Sequence, residues 1–440
     1  MSDSLPKPLS ARYKESFAYE TVKDRMPVIL TKAIDACHKQ IEPYHEKYGE
    51  KGAEDVKKVI GQMSKLRNEL MTDKPFVELD DDLRDASEWN DCLNELKNSQ
   101  DEKPSYFTSP WLFSECMMYR RISGILQNSD FMKSFDPYQD QKRVALDNAI
   151  PGLITMADHL KKISEERNLI QDTELLKCFQ TFLKASLWSN RFDLSLTAGE
   201  NKDHESHNPV ETLQELESYL LADNSEAIFK HLCNVKQSGN KIRVDMVIDN
   251  AGFEFSSDIM LAEFLLESKI ADSIQFHVKC IPWFVSDVTF EDFDYTLKTL
   301  SQTENKVLAS YGKLWLKRLQ DRTFLVAPKE NSQFWTLSRP YSEMHKHDPK
   351  LYQRLESSAL IIFKGDMNFR KLVSDLAWDS EIPFATSVLG FSPAPLCTLR
   401  TLKADVVVGL APGEAEDAAK KDEDWMVSGK YAIILAHLDA

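Results

Sequence analysis

Residues Arg243 to Glu254 read RVDMVIDNAGFE. Val244, Met246, Val247 and Ile248 make an apolar run of strand length, and an acid, an amide and a single glycine, Asp249, Asn250 and Gly252, stop it. A helix-period segment follows from about Ser257 to Glu267, and then a second apolar run, SIQFHVKCI (Ser273–Ile281). Thr289 with Asp292 three residues on is a capping box, and Phe293, Leu297 and Leu300 continue one face of the helix it opens. ALIIFKG (Ala359–Gly365), a helix near Asn368 to Ser374, the strand-rich PLCTLRTLKADVVVGL (Pro395–Leu410) and KYAIILAHL (Lys430–Leu438) extend the alternation. Apolar strands separated by amphipathic helices imply an α/β fold whose largely parallel sheet is covered on both faces.

Upstream the pattern is helical. Leu30, Ile34, Cys37 and Ile41 recur at helical spacing, as do Val56, Ile60, Met63, Leu66 and Leu70. Ser109-Pro110 reads as a cap with proline at the first helical position, opening WLFSECMMYRRISGIL, and a further helix runs from about Asp172 to Leu187. Near residue 199 the polar stretch GENKDHESHNPVET breaks the pattern. The expected division is an N-terminal helical domain, 1–198, and an α/β domain, 199–440, carrying metal and phosphate chemistry.

The chain has 440 residues and a formal net charge of −16. That charge excludes nucleic acid and anionic membrane surfaces as main partners, because a phosphate backbone requires a positive footprint. Seven scattered cysteines without ligand spacing read as reduced intracellular thiols. The first residues lack the signature of a secretory signal and no apolar run reaches membrane-spanning length, so the expected location is the cytoplasm, with the nucleus as a second compartment, and the expected state a monomer.

In open α/β sheets ligands gather outside the carboxyl ends of strands. Three such ends carry polar clusters: Asp249-Asn250 with Glu254, Asp287 at the end of IPWFVSD, and Lys364 to Arg370 in KGDMNFR. Two carboxylates and an amide oxygen form an all-oxygen set suited to a divalent cation such as magnesium or manganese. The competing interpretation of Asp249-Asn250 is a turn and helix cap. Lys364, Arg370, Arg400 and Lys403 are the natural partners of an anion beside such an ion. Glu115 falls on the apolar face of its helix and so requires a partner, for which Arg67 one helix earlier is a candidate. Asn190 and Asp193 lie at a helix end, and His345 and His347 in MHKH suggest a surface loop. No G-x-G-x-x-G follows a strand, and there is no phosphate-binding G-x-x-x-x-G-K-[ST], G-x-S-x-G or H-E-x-x-H.

With Asp249-Asn250, Asp287 and Arg400-Thr-Leu-Lys403 in hand, the chain resembles the metal-dependent damage-control phosphatases, in the subfamily marked by an Arg-Thr-x-Lys motif near the C-terminus. SFAYETVKDRMPVILTKAID, SKLRNELMTDKPF, SPWLFSECMMYRR, SLWSNRFDLSL, VIDNAGFE, IPWFVSD, IIFKGDMNFRKL and PAPLCTLRTLKA all resemble family signatures and together span nearly the whole chain. The resemblance implies a three-layer α/β/α fold with a Rossmann-like sheet and a helical N-terminal part. It also implies a manganese, cobalt, nickel or magnesium ion on Asp249, Asn250 and Asp287.

A small phosphorylated sugar of the fructose 1-phosphate or fructose 6-phosphate type is the implied substrate. Its contacts would come from Asp249, Asn250, the loop Asp366, Met367, Asn368, Phe369 and Arg370, and Lys403, joined by Arg67, Asn190 and Asp193. Asp249, Asp287 and Glu115 are the expected catalytic residues. Ser189 departs from the family's Gly-Asn-x-x-Asp element, which has glycine there. The alternative activity attached to the family is S-adenosylmethionine-dependent methylation of protein glutamate carboxyls, with Glu254 as a cofactor contact.

Overall fold

A computed structural model describes residues 5–166, 172–189, 191 and 209–439. Seven strands form its sheet: β1 (Leu220–Asp223), β2 (Arg243–Val247), β3 (Ser273–His277), β4 (Phe324–Val326), β5 (Leu360–Lys364), β6 (Leu396–Thr401) and β7 (Ala432–His437), in the order β1-β7-β6-β5-β2-β3-β4. Every neighbouring pair is parallel except β6 and β7. The helices that matter to the site are α1 (Met26–His38), α2 (Glu50–Met71), α3 (Trp111–Gln127), α4 (Gln139–Glu166), α5 (Asp172–Leu187), α6 (Phe253–Glu267), α7 (Phe290–Ser301), α8 (Lys306–Gln320) and α9 (Gly365–Leu372).

Period-two alternation along the strands sorts their side chains into two separate apolar cores. Val244 and Met246 of β2, Leu360 and Ile362 of β5 and Ile434 of β7 join one core with side chains of α4 to α8. Val247, Ile361, Phe363, Ile433 and Leu435 point the other way, into a core built with α1 to α3 and α9. Helices cover both faces, which makes the three layers. Burial on both faces also explains why these strands read as continuous apolar runs instead of alternating ones.

Several boundaries differ from the sequence expectation, each for a local reason. α1 stops at His38 and Ile41 begins a separate helix, because Pro43 lacks the N–H that a continuous helix would need. Pro110, and not Ser109, is the N-cap of α3, and the first-turn N–H of Leu112 is satisfied by the Asp375 carboxylate at 2.9 Å. α6 starts at Phe253 instead of Ser257, since Gly252 at φ 78° turns the chain directly into it. α9 likewise starts early, at Gly365.

β6 ends at Thr401 because the Arg400 guanidinium gathers the Ala404 and Val406 carbonyls and draws that segment into a loop. β1 and β4, four and three residues long, are too short for periodicity to register. The 198/199 division falls outside the described residues. α4 and α5, which precede it, pack on α6 within the second core. Among the described residues no helix is long and apolar enough to cross a membrane.

The capping box at α7 is present in both directions: Thr289 Oγ1 accepts from the Asp292 N–H at 3.3 Å, and Asp292 Oδ2 accepts from the Thr289 N–H at 2.9 Å. Thr289→Ala removes one arm of it. A loss of about 1–2 kcal/mol is expected from the urea midpoint, with no change in the slope.

Candidate active site

The chain runs from β2 outward to β3 and β4, then crosses back to place β5 on the other side of β2. The helix leaving β2, α6, lies on one face of the sheet and the helix leaving β5, α9, lies on the other. The two connections therefore part at the carboxyl ends of β2 and β5 and leave a crevice there. Asp249 and Asn250 enter it from β2, Asp366 from β5, and Ser286 and Asp287 return to it from the β3 side.

Backbone bonds fix these loops against each other. Asn250 and Asp287 form an antiparallel bridge, the Ala251 N–H donates to Ser286 O at 2.8 Å, and the Val288 N–H donates to Asp249 O at 2.8 Å. Phe284 and Val285, just before, hold φ 43° and 68°, an unfavourable region for a β-branched residue, and a stack of Phe284 on Tyr119 at 4.6 Å helps to hold the first of them. Gly365, at φ 82°, is required by sterics as well: a Cβ there would lie 1.9 Å from Asp249 Oδ2.

The crevice holds a cavity of about 180 Å³. Asp249, Asn250, Ser286, Asp287 and Asp366 line one end. Trp111 and Glu115 of α3, Met367 and Arg370 of α9, Phe284, Lys403, and Phe17 and Arg25 from the N-terminal segment complete the wall. Glu115 is buried and pairs with Arg370 at 2.8 Å, and Arg370 is held in turn by Asp375 at 2.7 and 3.0 Å and lies 3.5 Å over the Trp111 ring. Glu115 thus meets Arg370 and not Arg67: the periodicity of α3 shows that a partner is needed, and tertiary packing chooses it. Burial raises the Glu115 carboxyl above its usual range, with Arg370 opposing.

Burial, then the negative charges of Asp287 and Glu254, push the Asp249 carboxyl well above the ordinary value, against Lys279 and Lys403. Asp287 is pushed up to about 6 by burial, with Lys279 the main opposing charge. Lys279 Nζ lies 3.3 Å from Asp287 Oδ2, but without hydrogen-bond alignment, and the ammonium donates instead to Ile248 O at 2.7 Å. A buried carboxylate oxygen is thereby left without a donor.

These residues fit a divalent cation. Asp249 and Asp287 supply charge, the donor-free Asp287 oxygen is available, and Asn250 Oδ1, fixed by Ser286 Oγ at 2.5 Å, keeps a second lone pair. No group of three His, Cys, Asp or Glu suited to a metal occurs among the described residues, so the set consists of two carboxylates and an amide, with remaining positions for water or substrate.

Other expected site residues stand elsewhere. Glu254 lies behind Asn250, accepting from its amide at 2.9 Å, and does not line the cavity. Lys364 is buried against Glu254, Asp258 and Ser186 O, and Arg400 is buried against Asp366, so neither faces an anion in the cavity. Asn368 takes the Tyr341 hydroxyl at 2.6 Å and caps Lys364 O, while Phe369 lies in the core beneath the Arg400 guanidinium. Neither they nor Arg67 line the cavity, and Arg67 Nε is buried without a hydrogen-bond partner. Asn190 and Asp193 lie outside the described residues. His345 and His347 sit on a short helix and not a loop, with His347 2.9 Å from Glu88.

Phe17, Arg25, Trp111, Phe284 and Ser286 are the wall residues that sequence reasoning missed. All lie in stretches singled out for family resemblance, but none carries a spacing that suggests chemistry on its own.

A family model for the damage-control phosphatase ARMT1-like domain matches residues 21–418. Among similar curated proteins, a damage-control phosphatase ARMT1 of Bos taurus is 41% identical over 434 residues, covering 97% of this chain and 98% of its own length. Those of Danio rerio and Homo sapiens are each 39% identical over 435 residues, covering 98% of this chain and 96% and 98% of their own lengths.

Gly365→Ala tests the geometry directly. The added methyl must displace the Asp249 carboxylate and also occupy a left-handed conformation, so a loss of about 2 kcal/mol or more is expected by thermal or urea unfolding. Wild-type stability in this variant would show that Asp249 does not lie against the β5 turn.

Proposed function

Since the chain belongs to the ARMT1-like damage-control phosphatase family, we propose that it is a divalent-metal-dependent phosphatase acting on small sugar phosphates of the fructose 1-phosphate and fructose 6-phosphate type. The observation that carries the reading is the crowding of two buried carboxylates, Asp249 and Asp287, at one end of a small cavity, with too little positive charge beside them to offset their burial. Buried carboxylates without enough positive charge around them either take up protons or bind a cation. The cavity, about 180 Å³, is below the roughly 300–1,000 Å³ of sites for drug-sized ligands, which supports a sugar phosphate over S-adenosylmethionine.

Asp249, Asn250 and Asp287 would hold the ion, which when bound supplies charge to the phosphoryl oxygens as the ester bond breaks. Lys403, exposed at the cavity wall with no recorded ion pair of its own among the described residues, is the cation free to take the phosphate. Ser286 orients the Asn250 amide, and Asp366 accepts from the Lys403 N–H at 3.1 Å, holding the end of the Arg-Thr-x-Lys segment at the rim. Trp111 gives the sugar an apolar wall. Glu115, kept in place by Arg370, offers an acceptor for hydroxyls.

Protein stripped of metal and resupplied with manganese should release phosphate from fructose 1-phosphate, and Asp249→Asn should abolish this. The same variant should stabilise the metal-free protein by about 0.5–2 kcal/mol, because it removes one of several buried acids that repel each other. Full turnover in the variant at saturating manganese would sink the assignment.

The pH dependence has a definite sign. A carboxyl whose value is raised in the metal-free protein must lose its proton to ligate, so manganese binding should release protons near neutral pH and weaken as pH falls through about 6. Calorimetric titration in two buffers of different ionisation enthalpy measures the release; identical heats in both would contradict it.

A further inference from the structure

The N-terminal segment is stitched into the fold by hydrogen bonds that no sequence pattern announces. The Leu9 N–H donates to Asp375 O at 2.9 Å, the Trp111 N–H to Leu9 O at 2.8 Å, and the Ala377 N–H to Lys7 O at 2.8 Å. Farther along, the Phe17 N–H donates to Asp405 Oδ2 at 3.1 Å, two residues beyond Lys403. The chain then makes a π-helical turn, Thr21–Arg25, closed by the Met26 N–H on Thr21 O, before α1 begins. Such wide turns are rare and occur often at functional sites. This one ends on Arg25, which lines the cavity.

Arg25 is exposed, and an exposed arginine is ordinarily solvated surface. Three observations set this one apart. It has no recorded ion pair among the described residues, unlike Arg370 and Arg400. Its guanidinium lies 5.2 Å from the Phe17 ring centroid, and Phe17 is itself a wall residue, so the group is steadied by a ring while its N–H donors stay free. It also lines the same cavity as Glu115, whose carboxylate its charge reaches.

We propose that Arg25 is a substrate-binding residue that, with Glu115, reads the hydroxyl-bearing end of a phosphorylated sugar while Lys403 takes the phosphate; this rests on the phosphatase reading above. The pairing has a chemical logic. Each sugar hydroxyl is both donor and acceptor, so a guanidinium that only donates and a carboxylate that only accepts satisfy neighbouring hydroxyls together. Phe17 and Trp111 supply apolar surface for the carbon skeleton. A phosphate ester without hydroxyls makes no use of Arg25.

Steady-state kinetics with manganese on fructose 1-phosphate and on 4-nitrophenyl phosphate, for wild type, Arg25→Met and Arg25→Lys, provide the test, together with calorimetric binding of fructose 1-phosphate. Arg25→Met should lower kcat/KM for the sugar phosphate about tenfold or more, mainly through KM, which is the loss expected for one hydrogen bond to a charged group. The preference for sugar over aryl phosphate should fall by the same factor, calorimetric affinity should drop in parallel, and Arg25→Lys should recover part of it. Equal losses on the two substrates would assign Arg25 a structural role and overturn the proposal, as would no loss on either. A wild-type protein that neither hydrolyses nor binds the sugar phosphate overturns the phosphatase reading, and this one with it.

Discussion

Negative charge buried at the ends of β2 and β3 is the constraint on which the surrounding structure depends. Asp249 and Asp287 are 7% and 1% exposed, and the bridge between Asn250 and Asp287 prevents them from separating. Removing an ion from water costs several kcal/mol even after relaxation. A fold that accepts this must offset it with buried cations, a bound cation or protons. The first of these is visible throughout the neighbourhood and is incomplete at Asp249 and Asp287, whose carboxyls are raised above their ordinary values.

The buried cations form a web around the site. Lys142 of α4 donates to the Asp287 carbonyl at 3.1 Å and to Asp136 and Asp292 at 2.8 and 2.6 Å, tying a helix of the N-terminal half to the Asp287 loop and to the cap of α7. Lys364 takes Glu254 and Asp258 from α6, and Arg370 takes Glu115 and Asp375. Each of these groups has its charge met by neighbours of opposite sign, so in a chain of net charge −16 few cations near the cavity remain free. Lys403 and Arg25 stand out for that reason.

Arg370 also joins the two halves of the protein. Its guanidinium touches Glu115 of α3, the Trp111 ring and Asp375, and Asp375 in turn satisfies the Leu112 N–H at the start of α3. One side chain thus sets how the helical layer sits over the strand ends. The cavity exists between the layers, and neither layer alone would enclose it.

Much of the architecture was legible in the sequence, because it rests on local periodicity. The apolar runs of β2, β3 and β5 to β7, the Thr289 capping box and the placement of Asp249, Asn250 and Lys403 just past strand ends follow from residue spacing and turn chemistry, whereas Asp287 lies well past β3 and is brought to the site by its bridge to Asn250. The tertiary structure alone decided which charges meet. A helical stripe shows that Glu115 faces inward but not that Arg370 waits there, and an exposed-looking lysine such as Lys364 proves to be fully buried among acids. Arg25 and Phe17 carry no pattern at all; they reach the cavity because hydrogen bonds at Lys7, Leu9 and Phe17 tie their segment to residues hundreds of positions away. Short-range sterics and hydrophobic period act between neighbours in the chain and can be read along it. Ion pairing in a low-dielectric interior acts through space, and its partners are known only once the layers have packed.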